Sequence, residues 1–95
     1  MEIPTGGRDA TISVNGVTLH YLEWGDASKP SLVLLHGMMS HAHTWDTFSG
    51  PASAHYHVIV LDQRGHGDSG SPQEIDYTAD AYVADLTTVI DTLNL

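Results

Sequence analysis

Apolar and polar residues alternate from Ala10 to Val14 and again from Val17 to Trp24, with Asn15-Gly16 between the two runs. Alternation of period two on either side of Asn-Gly predicts an antiparallel hairpin over residues 10–24. In its second strand Val17, Leu19, Tyr21 and Glu23 share one side, and Thr18, His20, Leu22 and Trp24 share the other. The turn cluster GDASKP closes the hairpin region. Two later runs, Ser31 to Leu35 (SLVLL) and His57 to Leu61 (HVIVL), do not alternate. Continuous β-branched and leucine runs of this length predict strands covered on both faces. Between them, Ala42, Trp45 and Phe48 recur at three-residue spacing and predict a short helix within residues 40–48, with Ser40 as its N-cap. Beyond Pro72, the residues Ala79, Tyr82, Val83, Leu86, Val89, Ile90 and Leu93 form an i, i+3, i+4, i+7 stripe. That stripe predicts a long helix from an N-cap at Thr78 to about Leu93, with Asp80 placed to complement the helix dipole.

Two buried strands joined through a helix indicate a parallel βαβ unit, so the expected class is α/β. We expect one domain: a loose leader at residues 1–9, the hairpin at 10–24 and a βαβα unit at 31–95. Charge narrows the possible partners. Three basic residues, Arg8, Lys29 and Arg64, stand against twelve acidic ones, for a formal charge of −9. A nucleic-acid surface needs several cations on one face, which this chain does not supply. The absence of cysteine excludes disulfides and thiolate metal sites. The N-terminus lacks a signal-peptide pattern, and LVLL and VIVL are too short to span a bilayer. The expectation is a cytoplasmic protein with no membrane role.

Gly65, Gly67 and Gly70 spell G-x-G-x-x-G after the second buried strand, the spacing of a dinucleotide-binding loop. Such a loop must join strand directly to helix, so that a pyrophosphate meets the helix N-terminus. Here Asp62, Gln63 and Arg64 intervene before the first glycine, and a polar, proline-containing stretch follows the last. The spacing is better read as coincidence, and no cofactor is expected. His41 with His43 and His55 with His57 invite a metal. At i, i+2 only the pair on a strand, His55 and His57, shares a face, and no third ligand is evident, so no metal is expected either. Trp45 and Phe48 read as core packing, and Ser40 as a cap rather than a nucleophile. Met38 and Met39 fit equally an apolar substrate pocket or packing beneath the loop. The acidic residues read as solvated faces and caps.

A strand ending in His36-Gly37, a short helix with Trp45, a second strand and then Asp62-x-Arg64-Gly65-His66-Gly67-Asp68-Ser69 together resemble the N-terminal third of the α/β-hydrolase family. The resemblance runs from about Ala10 to Leu95. It implies that the backbone N–H of Met38, the residue after His-Gly, donates to an oxyanion hole. It implies that Gly37 lets the chain turn sharply there, that His36 braces neighbouring loops, and that Asp62, Arg64, Gly65 and Gly67 order the loop beside the site. The family's nucleophile sits on a G-x-S-x-G elbow on the strand after the final helix, and no such string occurs in these residues. The resemblance therefore implies a truncated α/β-hydrolase sheet with one oxyanion donor and no triad residue, inactive alone.

Complete relatives in that family attack ester, lactone or carbon–carbon bonds with a serine activated by histidine. Haloalkane dehalogenases of the family usually carry Asn after His-Gly, and many epoxide hydrolases an aromatic residue and proline. Met38-Met39 matches neither. The resemblance also places the strand Ser31 to Leu35 beside the absent nucleophile strand. That edge is expected to pair with a second copy or a complementing segment, and a small-molecule substrate is expected only when the fold is completed. Two other readings stand beside it. One is a non-catalytic, self-assembling or engineered piece of the fold. The other is a small nucleotide-binding βαβ module using Gly65 to Gly70.

Overall fold

The computed structural model describes residues 7–37, 39–73 and 75–95. Two strands, β1 (Arg8–Val14) and β2 (Val17–Trp24), form the hairpin, paired from Arg8↔Glu23 to Val14↔Val17. Asn15 and Gly16 both take positive φ, 49° and 78°, as a tight turn between right-twisted strands demands. The first strand starts at Arg8, two residues before the expected Ala10, because Arg8 and Asp9 continue the ladder opposite Glu23 and Leu22. The leader expected at residues 1–9 therefore loses its last two residues to the sheet, and residues 1–6 lie outside the described residues.

Strands β3 (Ser31–Leu35) and β4 (His57–Leu61) pair in parallel, and β4 also pairs antiparallel with β2. The sheet order is β1-β2-β4-β3. Every residue of β4 is buried, as its continuous apolar run requires of a central strand. One face of the sheet packs Val14, Val17, Leu19, Tyr21, Ile59 and Leu61 against Val89 of the last helix. The other packs Leu22, Trp24, Val58 and Val60 against Ala42, with Trp45 and Ala52 partly buried beside them. The two sides of β2 read from its alternation thus face two different helical layers.

The connection from β3 to β4 departs from expectation. It is a 3₁₀ turn (Ala42–Trp45) leading into helix α1 (Asp46–Ala52). Ser40 is not its cap: the position before the turn is His41, which makes no side-chain cap bond. Phe48, expected in the core, is 49% exposed and meets Trp45 edge-on at 5.8 Å. Starting the helix later rotates Phe48 off the sheet and buries Ser49 instead.

Helix α2 (Ala79–Thr92) is capped as expected, with Thr78 Oγ1 accepting the Ala81 N–H at 3.2 Å. Its buried line is Ala81, Asp85 and Val89. Val83, counted in the apolar stripe, is 61% exposed. The helix is turned so that the carboxylate of Asp85, not the Val83 side chain, faces inward. No helix among the described residues is long and apolar enough to cross a membrane.

Candidate active-site scaffold

The C-terminal ends of β3 and β4 lie side by side, so the segments that follow them, His36-Gly37 and Asp62 to Gly70, form one cluster of loops. Asp62 is its hub. Its carboxylate is buried and accepts three hydrogen bonds: from the Ala42 N–H (2.6 Å), the Asp68 N–H (3.1 Å) and His20 Nδ1 (2.7 Å). One side chain thereby ties together the turn after β3, its own loop and strand β2. Burial by itself would push the Asp62 carboxyl up. The three donors outweigh it and hold the group below the ordinary carboxylate value, so Asp62 is ionised.

His20 joins this hub although no motif singles it out. Its ring lies between Asp62 and Asp9, with Nε2 2.7 Å from Asp9 Oδ1. Its backbone N–H donates to Ser69 Oγ at 2.8 Å, and the same hydroxyl donates to the Asp62 carbonyl. Ser69 is therefore spent as a brace. A sequence signal for His20 existed: a lone histidine among Leu22 and Trp24 on a packed face needs buried partners.

His36 is buried and couples the two loops. Its Nε2 accepts the Gln63 N–H at 3.0 Å, and its Nδ1 donates to the Gly37 carbonyl at 2.7 Å. Because an amide only donates and a carbonyl only accepts, the ring is fixed as the neutral Nδ1–H tautomer. Gln63 Nε2 returns a bond to the His36 carbonyl at 2.9 Å. Gly37 differs from expectation. It is exposed, with no positive φ and open space where a Cβ would be, while Met39 makes the left-handed turn at φ 61°. Met38 lies outside the described residues. Met39 is 92% exposed, so it does not pack beneath the loop.

Arg64 points the other way, into the body of the fold. Its guanidinium grips Asp85 of α2 through Nε (2.7 Å) and Nη2 (2.8 Å), and Nη1 reaches the Asp76 carbonyl at 2.9 Å. Both side chains are almost fully buried. Asn15 adds a bond to Asp85 at 3.2 Å, joining the hairpin turn to the same point. Asp62 and Asp85 thus correct the expectation that the acidic residues are solvated faces and caps.

The glycines of this loop serve close approach. Gly67 has φ 52°, and a Cβ there would lie 2.3 Å from Asp62 Oδ1. Gly65 has φ 74° and abuts the Tyr77 ring. Five amides of the loop are already engaged: Gly65 to Gly70, His66 to Gln63, Asp68 to Asp62, Ser69 to His66 and Gly70 to Thr18. A phosphate cradle needs such N–H groups free, so this loop is built as a brace.

The two histidine pairs differ: the His41 and His43 rings meet edge to face at 6.3 Å, and His55 and His57 have different surroundings. His55 is exposed in the turn before β4, whereas His57 is buried and bonded to Glu23. His43 pairs with Asp46 at 2.8 Å, and His41 is exposed. Among the described residues, His20, Asp62 and Asp68 bring atoms of metal-ligating type within 4.8 Å of one another. Asp62 Oδ2 already accepts from both His20 and the Asp68 N–H, so here these groups act as a hydrogen-bond hub. A mainly apolar cavity of about 330 Å³ opens between the two loops and α2, lined by Gly37, Gln63, His66, Ala79, Tyr82 and Val83.

Known proteins share both the sequence and this geometry. Residues 30–95 match the model of the alpha/beta hydrolase fold. The chain is 37% identical over 93 residues to epoxide hydrolase A of Mycobacterium tuberculosis, a match spanning 96% of this chain and 28% of that protein. It is 36% identical over 84 residues to N-formylmaleamate deformylase of Pseudomonas putida, spanning 88% of this chain and 31% of that protein. A crystal structure of an epoxide hydrolase from Vigna radiata superposes with a TM-score of 0.87 at 30% identity, covering 95% of this chain and 30% of that one. The chain thus spans under a third of the length of each of these relatives. With the family model matched over most of its length and the sheet order and loop cluster in place, the chain belongs to the α/β-hydrolase fold family.

Proposed function

We propose that these residues are the N-terminal portion of an α/β-hydrolase enzyme that cleaves an ester, lactone or carbon–carbon bond by a Ser-His-acid mechanism. In this reading the Met38 backbone N–H is one oxyanion donor, and the triad comes from sequence beyond the 95 residues. The observation that carries it is the double tie on the β3 end. His36 and Gln63 bond reciprocally across the loops, and Asp62 holds the Ala42 amide four residues past Met38. A backbone donor stabilises developing charge only if it is fixed before the reaction, and these bonds anchor its segment on both sides. The names of several relatives favour epoxide opening as a second reading. Met38-Met39, in place of an aromatic residue and proline, favours the first.

The 95-residue chain is expected to show no saturable turnover of short nitrophenyl esters and no near-stoichiometric labelling by a serine-reactive fluorophosphonate. Both together would sink the reading. Grafted in place of the matched stretch of the Mycobacterium tuberculosis relative, the chain should support hydrolysis. Met38→Pro, which deletes the donor, should lower kcat in that chimera by about 10²–10³-fold at unchanged melting temperature. The same reading leaves the outer edge of β3 to a second copy of the chain or a complementing segment.

A further inference from the structure

We propose that His20 is a proton-operated latch: doubly protonated, it ties Asp9 at the start of β1 to Asp62, and on losing one proton it keeps Asp62 and releases Asp9. The geometry is a buried imidazole with a carboxylate oxygen 2.7 Å from each ring nitrogen. Ionised carboxylates only accept, so both nitrogens must donate, which only the imidazolium does. The charged groups acting on the ring are Asp9 from β1 and Asp62 and Asp68 from the loop after β4. Burial opposes the positive charge, but the bonds to Asp62 and Asp9 and the nearby negative charges outweigh it and hold the ring above its ordinary value of 6.5.

The two acceptors are unequal, and that decides which one lets go. Asp62 is 2% exposed and is held by the Ala42 and Asp68 amides. The Asp9 side chain is 73% exposed, so water replaces its partner at little cost. A neutral His20 therefore keeps its proton on Nδ1, facing Asp62. Opening is confined to the first rungs of the hairpin, where Arg8 and Asp9 face Glu23 and Leu22. A divalent cation competing for His20, Asp62 and Asp68 would have to displace the Nδ1 proton and the Asp68 amide from the same oxygen.

Since the folded value is raised, the latch contributes its full stabilisation below pH about 6.5 and loses it as pH rises through the folded value. The test is a pH titration of the ¹⁵N-labelled chain, following the His20 ring nitrogens and the amide exchange of β1. His20 should titrate above 6.5 and leave the Nδ1–H tautomer. Exchange of the first β1 amides should speed up across the same midpoint. Asp9→Asn, at an exposed site that does not threaten folding, should lower the midpoint by about one pH unit. A midpoint at or below 6.5, an Nε2–H tautomer, or β1 exchange unaltered across the midpoint would overturn the latch. So would tight Zn²⁺ binding that abolishes the Nδ1 proton.

Discussion

Asp62 illustrates how one side chain dictates the identity of its neighbours. Because its carboxylate fills the space above Gly67, that position must lack a Cβ and also take φ 52°. Gly67→Ala should therefore cost about 2 kcal/mol, from the left-handed backbone penalty and displacement of the carboxylate. Gly37→Ala, with open space and an ordinary backbone, should stay within about 0.5 kcal/mol when both variants are unfolded in urea. Equal losses at both would show that the loop is not ordered by Asp62. At this scale the sequence was partly legible. The D-x-R-G-x-G string marked the right loop, but His20 was passed over because its partners are 11 and 42 residues away. Alternation assigns a face; it does not say what that face will meet.

Among the elements, helix α2 is tied to the loop after β4 by the buried Arg64–Asp85 pair as well as by its apolar contacts. Arg64→Ala would leave Asp85 buried without its counter-charge, at an expected cost of about 3–5 kcal/mol. The double variant Arg64→Met with Asp85→Leu should recover most of that loss in a denaturation cycle. A double variant as unstable as the single one would mean that the guanidinium acts mainly through Asp76. The four strands and α2 were readable from runs and periodicity because each follows one simple pattern over several turns or rungs. The start of α1 was not, because Ser40 satisfies the composition rule for a cap while the chain continues extended through His41. The inward turn of Asp85 was hidden for a related reason. A polar residue on a helix reads as solvent-facing unless a distant cation claims it, and Arg64 is 21 residues earlier.

At the level of the molecule, the two sheet edges differ. β1 alternates exposed polar residues, Thr11 and Ser13, with half-buried Ala10 and Ile12, whereas β3 presents Leu32, Val33 and Leu34 half covered and Leu35 exposed. An edge of the second kind invites pairing. Sedimentation should show mass rising with concentration, and Leu35→Lys should shift the chain to monomer with little change in melting temperature. A wild-type chain that stays monomeric at every concentration would remove the case for that edge. The order β1-β2-β4-β3 has one more consequence, for the moment of synthesis. The central strand β4 is made after both strands that flank it. As the chain leaves the ribosome, the hairpin can close at once, but β3 has no partner until residues 57–61 have emerged. Each contact of the central strand with β2 closes a loop of some tens of residues, the slow kind of step in sheet assembly. The nascent chain must therefore carry β3 as exposed leucine and valine through that interval, and folding is decided in the few residues that finally insert between strands already waiting.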